Sequence, residues 1–365
     1  MKIKKINNAL ISVSDKSNLD KLLQFLSKYK INIISSGGTF NEIKKLGYKC
    51  TEISRYTKFN EMLDGRVKTL HPKIHAGILS DRSSKKHRRQ MLKKKFKNID
   101  LIIVNFYPFK EAVNRNKNVK KIIENIDIGG PTMVRAAAKN YNDVSIITSK
   151  GDYNSLINEL REYKGGTSLK FRENMASKAF GLTAYYDSII SNWFYKKLNI
   201  KFPETKTLFG RKFAQLRYGE NPHQEGSIYI NEEDIGLRKL RGKNLSYNNY
   251  NDIFSGLEIL SSFKKPGTVI IKHANPSGVS INGSPLKSFE ESYKCDPISA
   301  FGGVVACNFK INETLARKMS SIFFEVILFK GIDKKALKIF GNKKNLTLVD
   351  ISKFKIKKNQ QIKYF

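Results

Sequence analysis

The chain has 365 residues, 40% hydrophobic and 27% charged, with a mean hydropathy of −0.43. This length suits two or three domains, and no apolar run reaches the ~20 residues that cross a bilayer. A formal charge of +35 invites nucleic acid or anionic metabolites, but the lysines are spread along the chain rather than gathered in one patch or tail, which speaks against a dedicated nucleic-acid binder.

The first eight residues carry charge without an adjoining apolar stretch and cleavage site, so they do not read as a secretory signal. Ala9–Val13 is a short strand pattern. Leu19, Leu22, Leu23 and Leu26 follow at helical spacing, with Ser17 and Asp20 placed to cap that helix. Ile31–Ile34 predicts a second strand, and a helix after Thr39 ends near Gly47. The run 83–95, rich in lysine and arginine, reads as a solvated helix. Leu101–Val104 and Val144–Ile147 are strands without alternation, as expected when helices cover both faces of a parallel sheet. Helical patterns dominate 153–198, and 200–207 with Pro203 reads as a linker. A second α/β region begins near Phe213. It contains a helix over 253–263, strands over 268–271, 303–306 and 324–328, and a helix around Leu286, Phe289 and Tyr293. The lysine-rich last fifteen residues are expected to be poorly ordered. Cys50, Cys295 and Cys307 are too few and too far apart for a disulfide framework, and they fit a reducing compartment.

Several strings carry chemistry. Ser35-Ser36-Gly37-Gly38-Thr39, between a strand and a helix, offers backbone N–H groups and hydroxyls to a phosphate, with Ser12–Lys16 beside it. An ordinary helix cap is the plainer alternative for that string alone. The segment 64–79 brings Arg66, Lys68 and His71 together. His71 and His75 suggest a metal pair, but Pro72 opposes one helix presenting both, so no metal is expected. Asn105–Phe109 follows a strand, where ligands bind in such folds. In Ile126–Asn140 the glycines permit close backbone approach, and Arg135 and Lys139 lie one helical turn apart.

These strings, in this order, resemble the cyclohydrolase half of bifunctional phosphoribosylaminoimidazolecarboxamide (AICAR) formyltransferase/IMP cyclohydrolase. The resemblance implies a methylglyoxal-synthase-like doubly wound parallel sheet over 1–148 and a helical extension over 149–199. It implies that Ser14, Lys16, Ser36, Gly38 and Thr39 hold the nucleotide phosphate. Arg66, Lys68 and Thr69 would line the base and ribose region, and Lys68, Tyr107, Asp127 and Lys139 would form the catalytic cluster. Asp127 would orient or deprotonate the carboxamide, while the other three stabilise charge on oxygen.

The second half continues the resemblance through 216–224, 242–249, 271–278 and 296–303. It implies an α/β cytidine-deaminase-like first lobe of the transferase over 200–365. Arg217, Tyr218, Asn244, Gly302 and Glu325 would contact the ribonucleotide. His273 would act as general base and Lys272 would stabilise charge or deliver a proton. The co-substrate would be 10-formyl-tetrahydrofolate, with no tightly bound cofactor. Phe329-Lys330-Gly331 stands where the family has a proline-containing turn. The family also continues into a second deaminase-like lobe beyond the position of Phe365. That lobe would be a separate chain, the remainder of a longer sequence, or lost together with formyl transfer. Other expectations are a cytoplasmic homodimer that acts on purine-pathway ribonucleotides. A nucleotide-sensing domain without chemistry and a basic nucleic-acid-binding protein are the competing readings.

Overall fold

Runs of buried aliphatic residues, not alternating patterns, build the first sheet of the computed structural model, which describes residues 2–116, 118–231 and 234–354. The chain divides into two compact units, Met1–Leu208 and Phe209–Phe365. The linker-like stretch 200–207 thus falls within the first.

In the first unit, β1 (Asn8–Ser12), β2 (Asn32–Ser35), β3 (Thr51–Glu52), β4 (Leu101–Val104) and β5 (Ser145–Ile147) form one sheet in the order β3-β2-β1-β4-β5. Every neighbouring pair is parallel. All four residues of β4 and all three of β5 are buried, which is what a sheet covered on both faces requires. The chain passes from β1 to one side of the sheet and returns to the other side with β4. The crevice at the carboxyl ends of β1 and β4 is therefore a topological switch point, where ligands bind in doubly wound folds.

The helix Leu19–Lys28 buries Leu19, Leu22, Leu23 and Leu26, each contributing about 1.5–3 kcal/mol by leaving water. Its cap differs from the expectation. Asn18 is the N-cap, left-handed at φ 62° and without a side-chain cap bond, because the Ser17 hydroxyl donates instead to Asp15 Oδ1 at 2.6 Å. The basic helix Lys85–Lys94 has no buried residue and is capped by Ser84, as a solvated surface helix should be. The helix Pro72–Leu79 shows what Pro72 does locally. It occupies the first helical position, where its missing N–H removes no bond, and His71 caps the helix by accepting from the Lys73 N–H.

The helical region consists of Tyr153–Glu162 and the 29-residue Leu169–Lys197. Between them Gly166–Thr167 pairs antiparallel with Lys4–Lys5. Arg172 of the long helix is fully buried and donates to the carbonyls of Lys2, Tyr141, Asn142 and Thr167. A buried guanidinium is tolerable only when its donors are satisfied in this way.

The second unit holds a mixed sheet of β6 (Arg238–Arg241), β7 (Gly267–Lys272), β8 (Asn275–Ile281), β9 (Val304–Cys307), β10 (Val326–Phe329) and β11 (Thr347–Asp350), ordered β6-β11-β10-β9-β7-β8. The three strands β9, β10 and β11 are parallel, and the remaining pairings are antiparallel. Arg211–Gln215 and Ser227–Ile230 make a separate two-stranded sheet. The helix expected over 253–263 begins earlier, at Tyr247, because Ser246 and Asn249 form a reciprocal capping box. In the lysine-rich tail Ile351 is buried and its N–H donates to the Phe329 carbonyl at 2.8 Å. Residues 355–365 lie outside the described residues. No helix among the described residues is long and apolar enough to cross a membrane.

Candidate functional site

The loops after β1, β2 and β4 enclose a cavity of about 720 Å³, closed on its other side by segments 61–69 and 123–133. Ser14, Lys16, Ser36, Gly38, Thr39, Arg66, Lys68, Thr69, Tyr107 and Asp127 all line it. The structure thus brings ten of the first unit's eleven expected site residues together, from segments spread between Ser14 and Asp127.

One end of the cavity is built for an anion. Ser36 is the extended N-cap of the helix Gly37–Lys45 and makes no side-chain cap bond. The first helical bond runs from the Phe40 N–H to the Ser36 carbonyl at 3.3 Å. Helix geometry therefore leaves the N–H groups of Gly37, Gly38 and Thr39 without intrahelical partners, at the positive end of the helix. Gly37 is left-handed at φ +52°, and a Cβ there would lie 2.9 Å from Lys68 Nζ. A Cβ on Gly38 would lie 3.7 Å from Lys16 Nζ. Two ammonium groups thus stand over the two glycines. In this state Lys68 is paired with Glu61 at 2.6 Å, and Arg66 makes a two-pronged ion pair with Glu124.

Two expected hydroxyl donors are otherwise engaged. Thr39 Oγ1 accepts from the Val13 N–H and donates to the Val13 carbonyl, both at 3.0 Å. A hydroxyl has one proton, so Thr39 serves an anion only through its backbone N–H, and its side chain ties the helix start to the end of β1. Ser14 Oγ lies 2.9 Å from both Asn105 Oδ1 and the Phe106 carbonyl, so its one proton goes to one or the other, while Asn105 Oδ1 also accepts the Ser14 N–H. Asn105 is therefore the latch between the loops after β1 and β4. The sequence reading placed it in a motif but gave it no role.

At the other end Asp127 is half-buried just before the helix Gly129–Lys139. Burial raises its carboxyl above the usual carboxylate range, and the Gly130 and Tyr107 N–H groups partly offset this. Gly130 N–H donates to Oδ1 at 2.9 Å. As the loop stands, neither glycine here leaves room for a Cβ without a side chain moving. A Cβ on Gly129 would lie 2.4 Å from Thr69 Oγ1, and one on Gly130 would lie 2.4 Å from Asp127 Oδ2. Tyr107 is exposed, so its phenol is open to a ligand.

Lys139 departs from the expectation. It is exposed at the last position of the helix that Gly129 begins, and it does not line the cavity. Ten helical steps of 1.5 Å place its Cα about 15 Å along the axis from Gly129. Within one chain it cannot share a reacting atom with Asp127. Of the two histidines in this segment, His71 caps its helix, while burial lowers the pKa of His75, whose Nε2 is buried without a hydrogen-bond partner among the described residues.

In the second unit, Lys272 and His273 lie at a two-residue hairpin between β7 and β8. His273 and Ala274 are both left-handed, at φ 54° and 61°, a turn that ordinarily recruits Asn-Gly. Asp252 accepts the Ala274 N–H at 2.6 Å. Its carboxyl is raised by burial, and the Ala274 and His273 N–H groups act against that shift. Lys272 Nζ donates to the Phe301 carbonyl at 2.8 Å, next to left-handed Gly302. Asn249 donates to Glu325 at 2.8 Å. Arg217 stacks on Tyr218 at 4.7 Å and bonds its hydroxyl at 3.0 Å, and Asn244 accepts from Lys239 at 2.7 Å. Asp252 and Asn249 were missed by the sequence reading. The Ser246-x-x-Asn249 spacing, a capping-box signal, was available to find the second.

Comparison with known proteins gives this geometry a context. Residues 18–132 match the family model described as MGS-like domain, and residues 137–365 match that described as AICARFT/IMPCHase bienzyme. The bifunctional purine biosynthesis protein PurH of Bradyrhizobium diazoefficiens is 42% identical over 353 residues, covering 95% of this chain and 67% of that protein. The protein of the same name from Persephonella marina is 45% identical over 355 residues, covering 95% of this chain and 69% of its own length. The chain spans about two thirds of the length of these relatives.

Proposed function

The chain belongs to the AICARFT/IMPCHase bienzyme family, and from that premise we propose that the cavity of its first unit closes the purine ring in de novo purine biosynthesis. The substrate is 5-formamidoimidazole-4-carboxamide ribonucleotide and the product is IMP. The observation that carries this reading is one cavity with an anion cradle at Gly37–Thr39 and, at its other end, the half-buried carboxylate of Asp127.

The chemistry uses those two ends differently. The cradle binds the phosphate in ground state and transition state alike. At the other end the carboxamide nitrogen attacks the formyl carbon and gives up a proton to Asp127, while the carbonyl electron pair moves to oxygen. Tyr107 donates to that oxygen, with Lys68 swinging across from its place over Gly37 once it leaves Glu61. The formamide nitrogen then loses its proton as the oxygen departs, so one proton from each nitrogen leaves with it as water. Because the reacting groups already share one molecule, holding the reactive rotamer supplies much of the acceleration.

We propose likewise that the second unit takes part in formyl transfer to AICAR from a formyl-folate, with 10-formyl-tetrahydrofolate as the co-substrate. Lys272 and His273 sit at the hairpin between β7 and β8. The cyclisation reading is tested by adding the formylated ribonucleotide to the 365-residue chain with a chelator present and following IMP. Turnover above the spontaneous rate, independent of metal and folate, is expected. A folded preparation with no acceleration would overturn the reading.

A further inference from the structure

The long helix Leu169–Lys197 contributes no residue to the cavity, yet it reaches the two loops that carry the reacting groups. Tyr186, on this helix, is 5% exposed. Its phenol oxygen accepts the backbone N–H of Asp127 at 2.9 Å and lies 3.5 Å from the Asn125 carbonyl. Its ring packs on Phe106 at 5.0 Å and meets Phe109 edge-on at 6.4 Å. Phe109, Ile122 and Tyr186 are the buried members of a small apolar cluster that Phe106, Ile126 and Trp193 complete. The residues around this cluster are the neighbours of Tyr107 on one loop and of Asp127 on the other.

Resting on the acid–base reading of Asp127, we infer that Tyr186 is a positioning residue for the cyclisation, holding the Asp127 backbone so that its carboxylate faces the cavity. The packing of the ring and the bond of the hydroxyl have separate consequences. The ring fills a cluster, so removing it creates a void and loosens both loops. The hydroxyl fixes a single N–H, next to the one residue whose carboxylate moves a proton. Burial pushes the phenol up to about 12, so it stays neutral and hydrogen-bonding throughout the working range. Without the oxygen, the Asp127 N–H has no partner in an apolar setting. The loop turns to find one, and the side chain turns with it.

The test is Tyr186→Phe, which keeps the ring. We expect thermal stability close to wild type, a KM within about threefold, and a cyclisation turnover lowered at least tenfold. Asp127→Asn is measured alongside, together with the double variant. If Tyr186 acts through Asp127, the double variant is no slower than Asp127→Asn alone, because coupled residues are non-additive. A merely structural tyrosine would add its full effect to both backgrounds and would lower stability with turnover. Wild-type turnover in Tyr186→Phe, with Asp127→Asn impaired, would overturn this inference alone. Wild-type turnover in Asp127→Asn would overturn the acid–base reading and the inference with it.

Discussion

Asp127→Asn is expected to lower cyclisation turnover by about 10²–10⁴-fold, the usual contribution of a positioned general base, while KM changes little. The amide nearly matches the carboxylate in shape and can still accept the Gly130 N–H that Oδ1 now accepts. What it loses is the capacity to take a proton. The pH profile follows from the same group. Burial raises the Asp127 carboxyl, with the Gly130 and Tyr107 N–H groups opposing. The working form is deprotonated, so turnover falls as pH falls through the raised value. The acid limb of the wild-type kcat profile should therefore lie above the ordinary carboxylate range, and it should vanish in the asparagine variant. Steady-state kinetics across the acidic range measure both effects. An unchanged acid limb in Asp127→Asn would assign it to another group.

Gly130→Ala should come close to the same loss of turnover without touching a reactive atom. A methyl at this position would lie 2.4 Å from Asp127 Oδ2 and 3.0 Å from Cγ. The cheapest relief is rotation of the carboxylate, since a side-chain terminus yields more readily than backbone. Misplacing a reacting group by about 1 Å can cost on the order of 10²-fold in rate. Stability should move the other way or not at all. Gly130 lies in the first turn of the helix Gly129–Lys139, and helix propensity favours alanine over glycine by up to about 1 kcal/mol. The expected combination is an undiminished melting temperature with turnover reduced about a hundredfold. A variant that melts much earlier would show that crowding is relieved through the backbone. A variant with wild-type turnover would show that the carboxylate position does not matter.

How much of this was legible in the sequence depends on the kind of signal. β4 and β5 announced themselves as unalternating aliphatic runs because both faces of the sheet are covered. The Ser36-Gly37-Gly38-Thr39 turn was visible because left-handed backbone at a helix start leaves a glycine signature. β8 was not legible. It contains Pro276 and Gly278, which oppose a strand reading, and they are tolerated because β8 lies at the sheet edge. β6, Arg-Lys-Leu-Arg, is the other edge and hides its pairing behind charge.

The site shows the same division. Residue types and order identified ten residues that the fold does gather, but not what their hydroxyls bond. The engagement of Thr39 with Val13 and of Ser14 with Asn105 depends on contacts between distant segments. Sequence adjacency also says little about where Lys139 lies, because the helix carries it about 15 Å along its axis from Gly129. Tyr186 and Asp252 left no motif, since each acts on backbone N–H groups of loops far away in the chain or on another element.

The most direct test of the central claim, that one cavity holds the phosphate at one end and the reacting ring at the other, is a crystal structure of the chain with IMP. The phosphate is predicted on the N–H groups of Gly37, Gly38 and Thr39, with Lys16 closing over it and Lys68 released from Glu61. The newly closed edge of the purine ring should lie within hydrogen-bond reach of Asp127. A phosphate seated at Arg66 and Glu124, or a base lying away from Asp127, would contradict the account.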